Sequence, residues 1–158
     1  MAYVSIHQAS LANLTDLLEI EQNSFSSDRV SHRQMRYILS QAKAFSLMAK
    51  MESKIVAYCT CFTPRLPRAA RLYSLAVLPA YRDKGIASKL LKKVWQKLRS
   101  LNYMSCNLEV RKEDRHTQAL YAKYGFKEIQ LLPGYYEDGA DGIRMKCEFK
   151  TQKVRADR

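Results

Sequence analysis

A single mixed α/β domain is predicted by three observations along the chain. The opening residues alternate as a short strand and pass directly into an amphipathic helix. Two strand-like runs in the middle are joined by a tight polar turn. A third apolar run, RLYSLAVL from residue 71, then ends at Pro79 and leads into a long basic helix that begins near Gly85.

Length and composition agree with that class. A chain of 158 residues, 47% hydrophobic, is long enough to bury a core without disulfides or metals. No apolar run approaches the roughly 20 residues needed to cross a bilayer. The first residues also lack a basic stretch followed by an apolar signal segment. The expected location is therefore cytoplasmic, with no membrane partner. Cys59, Cys61, Cys106 and Cys147 sit inside apolar, strand-like segments without paired metal-ligand spacing, so they read as reduced core residues and no metal site is expected. A formal charge of +12 implies attraction to something anionic: phosphates, RNA or an acidic peptide. The cations are spread through the chain, so a generally solvated basic surface and a dedicated RNA face both remain open.

Taken in order, residues 3–7 form the first strand, and Ser10 is expected to cap a helix carrying Leu11, Leu14, Leu17 and Leu18. Residues 21–29, EQNSFSSDR, read as a polar loop. Its Phe25 would either pack on the core or line a binding groove. Ser31 caps a second helix through Met35, Tyr37, Ile38 and Leu39. Strands over residues 45–50 and 55–62 flank the turn Met51-Glu52-Ser53-Lys54. Pro64 and Pro67 break the chain before the fourth strand, where Leu72, Leu75, Ala76 and Val77 read as buried. Helix positions Ile86, Leu90, Leu91, Val94, Leu98 and Leu101 follow at helical spacing.

The start of that helix has the outline of a phosphate site. Unpaired backbone N–H groups and the positive end of the helix dipole meet the cations Arg82, Lys84 and Lys89, while Gly85 and Ala87 leave the backbone approachable. Alone, R-x-x-G-x-A also fits a solvated basic turn capping an ordinary helix.

Residues 103–110, YMSCNLEV, alternate so that Met104, Cys106, Leu108 and Val110 face one way and Ser105, Asn107 and Glu109 the other. Glu109, near the C-terminal end of this strand, is a candidate base or a strand-end carboxylate paired with Arg111 or Arg115. Asp114 is a plausible N-cap for a helix stopped by Gly125. Within it Tyr121 is either core or catalyst. A strand over residues 126–132, a polar loop with adjacent Tyr135 and Tyr136, and a last strand over residues 143–149 complete the domain, which is bounded at 1–150. Residues 151–158, TQKVRADR, read as a charged flexible tail. Tyr135 and Tyr136 either pack the loop or bind a ligand.

The order β-α-α-β-β-β-α-β-α-β-β, about seven strands and four helices, with R-x-x-G-x-A between the fourth strand and third helix, resembles the GCN5-related N-acetyltransferase (GNAT) family. Within it, LEVR at 108–111, ALYAKYGF at 119–126 and YYEDGADGIRM at 135–145 resemble the RimI-type ribosomal-protein-alanine acetyltransferases and the catalytic subunits of eukaryotic N-terminal acetyltransferases. The resemblance implies acetyl-CoA as donor, its pyrophosphate on the backbone amides of Asp83, Lys84, Gly85, Ile86, Ala87 and Ser88. It implies that Leu75, Ala76 and Val77 pair with the pantetheine arm, a backbone N–H there polarising the thioester carbonyl. Glu109 then corresponds to the general base and Tyr121 to the general acid, with direct transfer to the amine. Tyr135 and Tyr136 correspond to tyrosines that hold the acceptor peptide, with Phe25 and Tyr73 shaping the amine pocket. Asp114 stands where RimI-type enzymes carry a cofactor-contacting Asn and lacks that amide's donors.

The implied acceptor is the N-terminal α-amine of a protein, and a ribosomal one would bring the chain close to the ribosome or its RNA. Lysine side chains or small amines are the enzymatic alternative. A basic ribosome- or RNA-binding module with little catalysis is the alternative from another class.

Overall fold

The structure, a computed structural model, describes residues 3–149. The expected tail over 151–158 lies outside the described residues. Strand β1 (Val4–Gln8) leads through a 3-10 turn (Leu11–Asn13) to α1 (Leu14–Ser24) and α2 (His32–Ser40). Strands β2 (Ala44–Met51), β3 (Lys54–Phe62) and β4 (Ala69–Val77) follow, then α3 (Ile86–Ser100), β5 (Ser105–Arg111), α4 (Arg115–Lys123), β6 (Lys127–Leu132) and β7 (Gly142–Glu148). Seven strands form one sheet in the order β1-β2-β3-β4-β5-β7-β6. Every neighbouring pair is antiparallel except β4 with β5.

Helices cover both faces. On one, Leu90, Leu91, Val94 and Leu98 of α3 and Tyr121 of α4 pack against Phe45, Leu47, Ala57, Cys59, Leu72, Cys106, Leu108 and Met145. On the other, Leu14, Leu17 and Ile20 of α1 and Met35 and Ile38 of α2 pack against Met48, Tyr58 and Ala76. Alternate residues of β2 and β3 thus feed opposite cores, as the two-residue period of a strand requires. All four cysteines are buried and free. The turn between β2 and β3 places Glu52 at φ 52° and Ser53 at φ 71°, the double left-handed step that matches strand twist in a two-residue hairpin.

Several local boundaries differ from the sequence expectation. The Ser10 side chain makes no cap bond. Instead its amide donates to Asn13 Oδ1 (2.9 Å), which closes the 3-10 turn before α1 begins at Leu14. The segment expected as a loop from Glu21 is helical to Ser24, because Ile20 and Glu21 are both buried against the sheet. Helix α3 stops at Ser100 and leaves Leu101 exposed, and Met104 is 58% exposed because it precedes β5. Ser31 does cap α2, its hydroxyl accepting from the Gln34 amide (3.1 Å) while the Gln34 side chain accepts from the Ser31 amide.

One departure from regularity positions the site. Strand β4 pairs with β5 only at Ala69, Ala70 and Arg71, opposite Ser105, Cys106 and Asn107. Beyond that point β4 keeps β3 and β5 keeps β7, and the two parallel strands diverge. A register shift against Cys61 and Thr60 inserts Tyr73 as an extra residue in β4, and such a bulge increases local twist. Leu75 and Val77, expected to be buried, are consequently only partly so.

Leu91 is fully buried between α3 and the sheet. Leu91→Ala should lower unfolding free energy by about 2–5 kcal/mol, read from the midpoint of chemical denaturation. A loss near zero would contradict this packing.

Candidate active site

The gap between β4 and β5 opens toward the C-terminal ends of two parallel strands, the usual location of a ligand in an open α/β sheet. Leu75, Ala76 and Val77 pair with Cys59, Tyr58 and Ala57 on β3 and have no strand on their other side. That free edge can accept an extended, amide-containing chain. Past Val77 the backbone turns through Pro79–Tyr81. Arg82 then donates Nε–H to the Val77 carbonyl (3.0 Å), fixing its guanidinium at the strand–helix junction.

Asp83 (φ 61°) and Gly85 (φ 77°) adopt left-handed conformations, and among the described residues no acceptor takes the backbone N–H groups of residues 83–88. A Cβ on Gly85 would meet nothing within 4 Å, so this glycine is required by its backbone angle and leaves open space above the amides. This donor-lined, uncrowded helix start, flanked by exposed Arg82, Lys84 and Lys89, fits a pyrophosphate. Ala87 and Ser88 are partly accessible. Ile86 is buried, so only its amide faces the site while its side chain anchors α3. The Asp83 carboxylate points away toward His116 (3.9 Å). Asp114 caps α4, its Oδ1 accepting from the Thr117 amide (3.1 Å), so its carboxylate serves the helix.

Glu109 lies on β5 two residues beyond the last β4–β5 pair. Its partners are neither Arg111 nor Arg115, the two suggested by sequence proximity. Oε1 accepts from Arg71 Nε (2.8 Å) and Oε2 from Arg144 Nε (3.0 Å), with the side chain 7% exposed. Arg144 is its direct cross-strand partner on β7, and Arg71 reaches it across the end of the parallel pairing. Arg71 also donates to the Tyr135 hydroxyl (3.4 Å), so the β6–β7 loop is connected to Glu109 through one guanidinium.

Tyr121 comes from the other side. Leu108 and Val110 belong to the core that contains Tyr121, so Glu109, which alternates with them, points to the opposite face. Burial pushes the Tyr121 phenol well above its usual pKa. Its ring packs edge-on against Phe126 at 5.6 Å. A carboxylate and a protonated phenol therefore stand on opposite faces of the sheet.

The remaining candidates gather on the Glu109 face to different degrees. Tyr73, on the bulge, stacks on Phe62 (5.0 Å) beneath the Arg71 guanidinium (5.4 Å), and its pKa is raised chiefly by burial. Tyr135 and Tyr136 pack edge to face at 5.1 Å; burial pushes the Tyr136 phenol up to about 12. Phe25 is 37% exposed at the C-terminus of α1 and is not part of either core. Two surface depressions, one bordered by Asp16, Lys50 and Lys54 and one by Arg33, Tyr37 and Gln41, include none of these residues.

Sequence reasoning missed a second carboxylate. Glu21 is 1% exposed and is held by three neutral donors: the Tyr58 hydroxyl (2.5 Å), the Ser74 hydroxyl (3.0 Å) and the Val30 amide (2.9 Å). It ties the segment after α1 to β4 one residue beyond the Tyr73 bulge. Its helical spacing, four positions after Leu17 and seven after Leu14, was the available signal, hidden by its polarity. Glu21→Gln would turn an amide donor toward either the Val30 N–H or the two hydroxyls. A stability loss of about 1–3 kcal/mol in urea is expected, and an unchanged midpoint would exclude this bracing role.

Comparison with known proteins follows the same lines. The acetyltransferase (GNAT) family profile matches residues 13–126. An N-alpha-acetyltransferase of Saccharolobus solfataricus is 41% identical over 83 residues, 52% of this chain and 50% of that protein, so the match spans about half of each. An N-alpha-acetyltransferase of Sulfolobus acidocaldarius is 26% identical over 151 residues, covering 89% of both. The crystal structure of the ribosomal-protein-S18-alanine N-acetyltransferase from Escherichia coli superposes with a TM-score of 0.84 at 23% identity, over 97% of this chain and 99% of that one.

Proposed function

The chain belongs to the acetyltransferase (GNAT) family, whose acetyl donor is acetyl-CoA, and from that premise we propose that its acceptor is the N-terminal α-amine of a protein. The observation that carries this reading is Glu109, two residues beyond the last β4–β5 pair, with Tyr121 on the opposite face of the same sheet. The names of the two archaeal relatives support the same acceptor.

Acetyl-CoA supplies an activated thioester carbonyl. The amides of residues 83–88 and the side chains of Arg82 and Lys84 bind the pyrophosphate, and the free edge at Leu75, Ala76 and Val77 orients the pantetheine. A backbone N–H of that edge donates to the thioester oxygen, where negative charge grows during attack. Tyr135, Tyr136, Tyr73 and Phe25 hold the acceptor beside Glu109. Asp114 acts through α4, as a cap, rather than as a cofactor ligand.

An α-amine has a reference pKa of about 7.7–8.0, so near neutral pH only its last proton must be removed. Both Glu109 oxygens already accept from guanidiniums, so that proton reaches Glu109 through a bridging water. Tyr121 does not behave as an ordinary acid of pKa 10. Burial raises its pKa, and transfer of its proton to a thiolate of ordinary affinity, about 8.5, runs uphill. Its role is to donate a hydrogen bond that stabilises the sulfur as charge develops there.

The finer partner is a ribosomal protein, in the cytoplasm. The named activity of the Escherichia coli structure supports it, as do the +12 charge and the exposed Lys89, Lys92, Lys93 and Arg99 of α3.

The decisive experiment incubates the protein with acetyl-CoA and peptides of varied first residue and reads the mass gain of one acetyl group. Gain on α-amines is expected; gain only on lysine side chains or small amines would overturn the acceptor. Glu109→Gln should lower kcat by about 10²–10⁴-fold while coenzyme A affinity by calorimetry is retained. In wild type, kcat/KM should climb with pH through about 8 as the amine loses its proton. Because the Tyr121 pKa is raised, its proton is still present at pH 10.0, and no alkaline decline should come from this group below that value. A descending limb below pH 10.0 that vanishes in Tyr121→Phe would contradict the buried phenol.

A further inference from the structure

Arg111, the last residue of β5, lies two positions beyond Glu109 and on the same face of the strand. Its guanidinium reaches two segments far apart in sequence. Nη1 donates to both oxygens of Asp138 (3.2 and 2.9 Å) in the β6–β7 loop. Nη2 donates to Ser27 Oγ (3.1 Å) and approaches Asp28 Oδ2 (3.5 Å) in the α1–α2 loop. The Tyr136 ring lies under it, 4.4 Å from the guanidinium carbon. Gln118 of α4 donates to the carbonyls of Arg111 and Lys112 (both 2.9 Å), so the backbone that carries this fork is itself held.

We propose that Arg111 is a latch joining the α1–α2 loop to the β6–β7 loop, and that this junction sets the slot through which an acceptor peptide reaches Glu109. The assignment rests on the acceptor reading above and deepens it: Arg111 is a positioning residue for the acceptor, not for the cofactor.

Each loop has other anchors that do not reach its partner loop. In the α1–α2 loop the Val30 amide donates to Glu21 and Arg29 donates to the Gln22 carbonyl (3.1 Å); in the β6–β7 loop Arg71 donates to the Tyr135 hydroxyl and the Lys112 amide donates to the Asp141 carbonyl (3.0 Å). Apart from the latch, one hydrogen bond among the described residues joins the two loops, from the Glu137 amide to the Asp28 carboxylate (Oδ1, 3.3 Å). Removing Arg111 also places Asp28 and Asp138 near one another without the cation between them, so the loops are driven apart as well as released. Lysine cannot replace it. A single ammonium lacks the planar fork that serves two carboxylates and a hydroxyl while stacking on a ring. The phosphate-binding amides of residues 83–88 lie on the other side of the β4–β5 gap and take no part in these contacts.

Two measurements test the latch on the full chain. Arg111→Ala and Arg111→Lys should both raise KM for peptide about tenfold or more, while KM for acetyl-CoA stays within about twofold. Amide hydrogen exchange in the absence of substrates should show protection falling together in residues 25–30 and 134–141, with α3 unchanged. Asp138→Asn changes only a half-exposed loop side chain, so it preserves the core, and it should produce the same paired loss to a smaller degree. Exchange that changes in one loop alone, or in neither, overturns the latch whatever the acceptor proves to be. Unchanged peptide KM in Arg111→Ala overturns the latch while leaving the acceptor assignment intact. Absence of peptide acetylation by the wild type overturns the acceptor and removes the slot from the proposal.

Discussion

The divergence of β4 from β5 after Arg71 and Asn107 is the constraint on which the rest of the molecule turns. A parallel pair zipped along its full length would satisfy every backbone group and leave no ligand a place in the sheet. Three features keep it open. The Tyr73 bulge twists β4 away, β3 holds β4 on one side, and β7 takes β5 on the other. The split leaves residues 75–77 with a free edge and aims the chain at the helix start after Gly85, while Glu109 and Tyr121 lie on opposite faces of the sheet. A sheet edge of this kind is normally a liability for association; here it lies inside the sheet, between β3 and β5, rather than at its rim.

The polar groups around the gap are built into the fold. Glu109 sits between two arginines, Glu21 sits among neutral donors, and Arg111 sits between two carboxylates. Burying such groups is costly unless their hydrogen bonds are satisfied, and each of the three is satisfied by residues from different elements. Their common effect is to fix the positions of segments that regular secondary structure does not hold: the bulge, the loop after α1 and the loop before β7. The +12 charge thus has two components. Arg71, Arg111 and Arg144 are engaged in building the site, whereas Lys89, Lys92, Lys93 and Arg99 point outward from α3 and set the field that an anionic partner would meet.

Much of this was legible in one dimension. The order of strands and helices followed from periodicity, the helix start at Gly85 from its breaker and cations, and the free buried cysteines from their apolar neighbours. The motifs LEVR and ALYAKYGF marked Glu109 and Tyr121. The partners of Glu109 were misread for a definite reason: sequence proximity favours Arg111 and Arg115, but Arg144 is brought opposite by the β5–β7 register and Arg71 by the short parallel pairing. Glu21 was assigned to a loop because a carboxylate resembles a surface residue until three donors are known to surround it. Asp114 was legible both as a cap and as a cofactor contact, and its bond to the Thr117 amide favours the cap.

Interactions within a few residues, such as alternation along β5, the cap at Ser31 and the left-handed step at Gly85, are encoded where they act, so the amino-acid order alone determined the elements and the class of chemistry they could support. Only the tertiary structure decided that β4 and β5 part after three pairs, which faces Glu109 and Tyr121 occupy, and that Arg111 joins residues 84 positions upstream to residues 27 positions downstream. The physical reason is that these contacts depend on strand register and on the closure of long loops. Neither leaves a local trace in the residues that make them.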